Sequence, residues 1–375
     1  DGLALARRVA GALGGALTVH EAFGTASLEG LGIGRLDVAT ARAERYALPG
    51  ALPTVRPGTI ADDLERRDFT VNAMAVELAS GTFELLDPLG GREDIRGRRI
   101  RVLHPLSFVE DPTRIVRAAR YATRLGFALD RGTARVQALA LRLAPYPALS
   151  AQRVAAEIER LLDDPAPDAA LTRLGAAGAF RLLDPGARCS RAVAERVAAL
   201  PPAIGWTRRH DLPASPLELA ALVIAAGQAA AVRPAVLRGL GFAGEPHARL
   251  LRAVETVPAL VARLGAMGAA PPSAQAAVLR DRPAIDLAWA WLIGHGTVRK
   301  RLAWYLDTAS PIRGELGGED LVALGVPRGP AVGLALRRLR DARLDGRAQS
   351  REDEVALVGE WTSETAADPI TRQEG

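Results

Sequence analysis

Residues 110–127 read Glu-Asp-Pro-Thr-Arg-Ile-Val-Arg-Ala-Ala-Arg-Tyr-Ala-Thr-Arg-Leu-Gly-Phe, and they open the run of helices that fills the rest of the chain. Asp111 can cap a helix, with Pro112 in its first turn. Arg114, Arg117 and Arg120 then recur at three-residue steps along one face, and Arg124 extends the row. Downstream, helical patterns recur over 131–143, 150–163 and 167–175, and over most of 190–347 in pieces broken by Pro and Gly. No strand pattern returns after Pro105.

Upstream the character differs. Residues 3–13 have helical periodicity and stop at Gly14-Gly15. The stretches 16–23 (ALTVHEAF) and 34–41 (GRLDVATA) alternate like short strands. Pro49, Gly50, Pro53, Pro57 and Gly58 mark an irregular loop, and a helix is expected from about Ile60 to Leu78. Residues 81–91 (GTFELLDPLGG) read as strand and turn, and 98–103 (RRIRVL) as a strand. The expected architecture is a small α+β head followed by a long all-α arm, with a polar end from about Ser363 that frays.

Composition supports folded domains. Apolar residues make up 49% of the 375, aromatics only 4%, and Ala and Leu dominate, as suits helices. Length alone suggests two or three domains. The net charge is +5, and apart from Lys300 every basic residue is arginine, whose planar fork suits phosphate. Genomic bias accounts for most of that arginine, so only particular ones carry function. A single cysteine, Cys189, excludes an internal disulfide or a thiolate zinc site and fits a reducing cytoplasm. The five histidines are scattered; His210-Asp211 imitates a metal-hydrolase dipeptide but, lacking partner histidines, reads as surface. No stretch of about 20 residues is free of charge, so nothing is expected to span a membrane.

Four groupings carry chemistry. Asp111 and Arg114 place an acceptor beside a donor. Cytosine and adenine each offer an amine donor next to a ring-nitrogen acceptor, and uracil and guanine offer the reverse. The pair therefore matches the first two bases and rejects the others, since an unpaired buried polar group costs about 1–3 kcal/mol. A helix cap with a surface ion pair is the blander reading. The arginines at 114, 117 and 120 suit a triphosphate or an RNA backbone, or merely a solvated face. In Glu65-Arg66-Arg67-Asp68-Phe69-Thr70-Val71-Asn72, Asp68 and Asn72 would meet on a helix and hold ribose hydroxyls, with Arg66 and Arg67 facing phosphates. Asp37 alternates with Leu36 and Val38 and stands off the apolar face of its strand, where a carboxylate can hold a metal ion. A polar outer face explains it equally well. Asp87-Pro88-Leu89-Gly90-Gly91 reads as a hinge or a plain loop.

Taken in order, HEAFGTASLE, RLDVATARAERY, DDLERRDFTVNAMA, DPLGGREDIRG, EDPTRIVRAARYATRLGF and SAQRVAAEIERLL resemble the class II tRNA nucleotidyltransferases and the bacterial poly(A) polymerases. The tail strings GGEDLVALGVPRGPAVGLAL and LDGRAQSREDE extend the likeness to nearly the whole chain. The resemblance implies a nucleotidyltransferase head over 1–100, a helical neck over 101–165 with the base-templating motif, a tRNA-binding body and tail over 166–362, and a flexible end over 363–375. It implies Mg2+ as cofactor, ATP and CTP as substrates and the tRNA 3′ end as partner. Asp111 and Arg114 would template the incoming base, Arg66, Arg67, Arg117 and Arg120 would touch the nucleotide, and Asp68 and Asn72 the ribose. Asp37 would be a catalytic metal ligand, and Arg153 and Glu157 would brace the neck.

In that family a Gly-Gly loop and an Asp-x-Asp strand come first. By the resemblance both should precede Asp1, so the head is expected to be incomplete at its N-terminus and the chain as it stands to bind nucleotide weakly without catalysis. The family's A-adding members keep a flexible element where YALPGALPTVRPGTI lies here, which points to addition of A, alone or after CC. A poly(A) polymerase and a non-catalytic RNA-binding remnant are the alternatives. The arm should grip tRNA by shape and phosphate contacts, with affinity falling as salt rises.

Overall fold

A computed structural model of the chain describes residues 1–21, 24–30, 32 and 34–367. The chain divides into two compact units, the first formed by 1–198 and 223–247, the second by 199–222 and 248–375. The divisions expected at 100 and 165 both fall inside the first unit.

In the first unit, α1 (Gly2–Leu13) starts on the Asp1 carboxylate, which accepts from the Leu3 and Ala4 N–H groups. It lies on an antiparallel sheet of β1 (Ala16–His20), β2 (Thr25–Glu29) and β3 (Leu36–Ala39). Ala6, Ala26 and Leu28 are its buried centre, flanked by Leu17, Val19, Leu36 and Val38. Of the stretch expected as one strand over 16–23, β1 ends at His20, and Ala22 and Phe23 lie outside the described residues. β2 was not foreseen. The region read as irregular loop contains a hairpin of β4 (Arg42–Arg45) and β5 (Thr54–Pro57). Its strands are only four residues long, and the surrounding Pro and Gly mask their alternation.

The long helix expected over 60–78 is a correction. Only α2 (Ile60–Glu65) is α-helical, held at its start by Thr59 and Asp62 in a reciprocal cap. Phe69 is extended (φ −137°, ψ 153°), bridges Val102 and is buried against Phe108 and Tyr121 at centroid distances of 6.5 and 5.9 Å. Burying that ring, worth roughly 1.5–3 kcal/mol, outweighs a helix whose outer face is charged. A 3-10 turn over Thr70–Asn72 follows, then the short pair β6 (Ala75–Val76) and β7 (Leu85–Leu86).

Residues 87–90 form a plain loop, one of the two readings offered by the sequence. The Asp87 carboxylate accepts from Gly91 N (2.6 Å) and Arg92 N (2.9 Å), so it caps α3 (Gly91–Arg96). A Cβ on Gly91 would stand 2.3 Å from the Thr70 carbonyl. Gly91→Ala should therefore destabilise the first unit by about 1–3 kcal/mol, the usual cost of overpacking. An unshifted urea midpoint would remove this packing argument.

β8 (Arg99–Ile100) pairs in parallel with β9 (Ala128–Leu129). Between them run α4 (Ser107–Glu110) and α5 (Thr113–Leu125), and α6 (Arg131–Leu143), α7 (Ala151–Leu162) and α8 (Pro167–Ala176) follow. α5 to α8 agree closely with the helices expected after Pro105, whereas α4 and the strand β9 were not expected there. α5 packs on α7 and α8, burying Ile115, Val116, Ala119 and Ala122 with Ile158, Leu161 and Leu171. This unit is completed by helices that include α9 (Arg191–Ala198).

The second unit is helical throughout its described residues. It contains α10 (Leu200–Arg209) and, after α11 (Pro216–Ala226), α12 (Arg233–Gly239) and α13 (Gly244–Ala266), the helices α14 (Pro272–Leu279), α15 (Ala284–Ile293) and α16 (Thr297–Trp304). α17 (Gly318–Ala323), α18 (Pro330–Leu344) and α19 (Arg351–Ala367) end it. There the buried Glu354 accepts from the Glu315 and Leu316 N–H groups and pairs with Arg343. The end expected to fray from Ser363 continues α19 to Ala367, and 368–375 lie outside the described residues. Among the described residues no helix is long and apolar enough to cross a membrane.

Candidate nucleotide site

The start of α5 carries a dense polar network. Asp111 and Arg114 are both buried, 9% and 3% exposed, so the surface ion pair weighed above does not exist. Nor do they pair with each other. Asp111 Oδ1 accepts from Thr113 N (3.0 Å), Thr113 Oγ1 (2.6 Å) and Arg153 Nη2 (2.9 Å). No donor among the described residues reaches Oδ2, and that oxygen remains available to accept. The Asp111 carboxylate thus performs the expected cap at Thr113 with one oxygen only.

Arg114 is held just as firmly. Nη1 donates to Ser107 Oγ at 2.7 Å, and Nη2 to the Arg66 carbonyl at 2.9 Å and Tyr46 Oη at 3.4 Å. The guanidinium also lies 5.8 Å over the Tyr46 ring. Burial pushes the Tyr46 hydroxyl up to about 12, so it stays protonated and donates onward to Glu44 Oε2 at 3.2 Å. Glu44 Oε1 in turn receives Arg42 (3.2 Å) and Arg66 (3.1 Å).

Asp63, on α2, joins the two arginines expected at the phosphates. Its Oδ1 meets Arg66 at 2.7 Å and its Oδ2 meets Arg67 at 3.0 Å. Burial alone would raise its pKa, but hydrogen bonds from Arg66 and Arg67 outweigh that and hold it below the ordinary value. Asn72 Nδ2 donates to Asp68 Oδ1 at 2.7 Å, so these side chains do meet, although across an extended residue and a 3-10 turn rather than along a helix. Asp68 Oδ2 sits 3.0 Å from Arg117 Nη2. Burial lowers the Arg117 pKa, but Asp68 and Glu157 more than compensate and raise it. Residues 66, 67, 68, 72 and 117 are therefore linked in one network, Arg114 joins it at the Arg66 carbonyl, and Asp111 stands three positions before Arg114, bonded separately to Thr113 and Arg153.

Two expected residues stand apart. Arg120 pairs with Asp164 at 2.9 Å. Asp37 lies on β3 opposite Ser27 of β2; it accepts from Ser27 Oγ (2.5 Å) and Arg35 Nε (2.9 Å), which hold its carboxyl below the ordinary range. Among the described residues no group of three or more His, Cys, Asp or Glu side chains could hold a metal ion. One exposed carboxylate already bound to a guanidinium does not fit a metal centre.

Arg153 deserved more than a bracing role. Besides Asp111 it binds the Gly50 carbonyl at 2.5 Å, while Gly50 N donates to the Glu110 carbonyl at 3.1 Å. Gly50 has φ +79°, and a Cβ there would stand 3.1 Å from Tyr146 Cβ and 3.2 Å from Leu149 Cβ. The connector between β4 and β5 is thus pinned to the start of α5. Glu157 pairs with Arg160 at 2.6 Å. Glu44, Tyr46, Asp63 and Ser107 were missed; their one signal was proximity to the ARAERY, DDLERRD and EDPTR strings.

Behind the site, Asp94 is 1% exposed and accepts from Thr70 Oγ1 (2.7 Å), Arg99 Nε (3.0 Å) and Arg101 Nε (2.6 Å). Burial would raise its pKa, but these bonds outweigh it and place it below the ordinary 3.8. A carboxyl lowered by folding adds stability that is complete above its unfolded pKa and is lost as pH falls through the folded one. Asp63 acts in the same direction. The chain should therefore lose stability below about pH 4. Asp94→Asn should be weakened already at neutral pH and show a flatter acid limb in thermal melts; parallel curves for the two proteins would contradict this.

Residues 4–101 match the Poly A polymerase head domain family. An A-adding tRNA nucleotidyltransferase of Halalkalibacterium halodurans is 41% identical over 182 residues, which cover 46% of this chain and 42% of that protein. A CC-adding tRNA nucleotidyltransferase of Deinococcus radiodurans is 34% identical over 349 residues, covering 89% of this chain and 75% of that protein. Among solved structures, the apo form II of a CCA-adding enzyme superposes with a TM-score of 0.82 at 28% identity, covering 96% of this chain and 84% of that one. The chain spans 42% of the length of each of the first two relatives it matches.

Proposed function

This chain belongs to the tRNA nucleotidyltransferase family, and from that premise we propose that it selects A, or C and A, for template-independent addition to the tRNA 3′ end. The observation that carries this reading is Asp111, whose Oδ1 is saturated by three donors while Oδ2 is unclaimed, beside the immobilised guanidinium of Arg114. An acceptor and a donor fixed in place cost nothing to reorganise when a base arrives. Adenine and cytosine satisfy both, while guanine and uracil oppose like with like.

The remaining roles follow from position. Arg66, Arg67, Arg117 and Arg120 supply charge for the triphosphate, with Arg120 having first to leave Asp164. Asp68 and Asn72 take the ribose. Chemistry in this family depends on a divalent metal, for which we take Mg2+; Asp37, the ligand the resemblance implied, is bound to Arg35 and does not fit that centre, and the described residues on their own act in selecting and holding the nucleotide. Head (1–100), neck (101–165) and body with tail (166–362) remain our division of labour, with the tRNA on the helical part and the protein in the cytoplasm beside its substrate.

Equilibrium binding of the four ribonucleoside triphosphates tests this directly. ATP and CTP should bind at least about tenfold more tightly than GTP and UTP, a difference of about 1.4 kcal/mol. Equal affinities would sink the reading. Run-on tails on a general RNA primer, rather than addition to tRNA alone, would favour poly(A) synthesis.

A further inference from the structure

In the second unit a cavity of about 550 Å³ is lined by Trp206, Arg209 and His210 of α10 and its end, Trp291 of α15, and Arg299 and Lys300 of α16. The sequence reading placed His210 at the surface. It lines this cavity half-buried: its side chain is 14% exposed, its Nδ1 lies 3.3 Å from Asp307 Oδ1, and its ring is 4.9 Å from Trp206.

Trp206 and Trp291 stack at 5.5 Å and 17°. Arg299 covers Trp291, its guanidinium carbon 4.1 Å from the ring centre. Arg299 is fixed further by bonds from Nε to the Trp291 carbonyl (3.0 Å) and from Nη2 to the Leu292 carbonyl (3.3 Å). Both partners of Arg299 are neutral, so its charge is not cancelled. Arg209 and Lys300 are exposed, and their side chains form no ion pair or hydrogen bond with another described residue. Asp307 is the one carboxylate in the lining, and it faces His210. Three permanent cations thus converge on one cavity against a single acid.

The aromatic floor decides what such a site can read. Trp291 has Trp206 on one side and a guanidinium over its ring, and Trp206 is 2% exposed. No base finds a free indole face to stack on. The cavity therefore recognises charge and not base identity, as contacts to nucleic-acid backbone do.

We propose that this cavity is a sequence-blind phosphate site that grips the RNA backbone remote from nucleotide selection. The inference rests on the tRNA reading above and adds where in the helical unit the backbone is held. Arg299 supplies a fixed fork, and Arg209 and Lys300 close on the phosphate from the exposed side.

All five tryptophans, at 206, 289, 291, 304 and 361, lie in the second unit, so their fluorescence reports on this unit. tRNA titrated into the chain should change tryptophan emission. In the double variant Arg209→Met, Lys300→Met the change should shrink and the tRNA Kd should rise about tenfold or more near 0.1 M salt, with the slope of log K against log salt falling by about 1–2. Lys300→Glu alone should act in the same direction; both side chains are exposed, and a thermal melt checks that each variant folds. Inorganic phosphate at millimolar levels and an acidic polypeptide serve as parallel arms and should not reproduce the tRNA response. If tRNA binds the wild type and both variants with the same Kd and slope, the cavity proposal fails while the tRNA reading stands. If either parallel arm alone gives the response, the site belongs to a free anion or an acidic protein and the proposal also fails. A wild-type chain that binds no tRNA removes the tRNA reading and this one with it.

Discussion

Asp111→Asn should reverse the nucleotide preference without changing the shape of the site. Three donors converge on Asp111 Oδ1, so the amide oxygen of an asparagine must face them. Its NH2 then occupies the place of Oδ2 and presents a donor where adenine and cytosine also present one. Each mismatch leaves a polar group unpaired at about 1–3 kcal/mol, so ATP and CTP affinity should fall by roughly 10- to 100-fold. UTP and GTP should be unaffected or bind better. Calorimetric titration with each nucleotide measures this, and an unaltered ratio between the two pairs would refute the templating role. Arg153 fixes the direction of the effect: with Arg153→Met as well, the asparagine loses one of its orienting donors and part of the reversal should be lost.

Arg114→Met should be the most damaging single change in stability. Methionine roughly preserves the stem, but the Ser107 hydroxyl and the Arg66 carbonyl lose a buried charged donor. Breaking hydrogen bonds to a buried charge costs about 1.5–3 kcal/mol each, and these two are not independent. A loss of about 3 kcal/mol is expected, together with loss of detectable ATP and CTP binding. Chemical denaturation followed by titration separates the two effects. Near-native stability would mean that the Tyr46, Ser107 and Arg66 contacts are incidental, and retained selectivity would mean that Arg114 does not read the base.

The helical half of the first unit was legible because its signals are local. Asp130 and Ser150 cap α6 and α7, and the apolar residues of α5 recur at helical spacing, so expected and observed limits nearly coincide. The 60–78 region misled for a tertiary reason: its periodicity suits a helix, but Phe69 is worth more between Phe108 and Tyr121 than on a helix face. Asp68 and Asn72 meet as expected, by another backbone route. β4 and β5 were hidden by brevity. The connection of Arg153 to Asp111 spans 42 positions, and nothing in either local string announces it. The partners of His210 were not legible either, because Asp307 is remote in sequence.

The peptide unit at Gly50 couples two properties that would otherwise vary separately. Its N–H and C=O are both occupied, one by the backbone of Glu110 and the other by the side chain that steadies Asp111. Deleting a single residue from the 46–53 connector would displace this unit by up to about 3.5 Å, more than a hydrogen bond can stretch. If Asp111 reads the base as proposed, insertions or deletions in this connector should alter which nucleotide is accepted even when every residue of the α5 helix is left as it is.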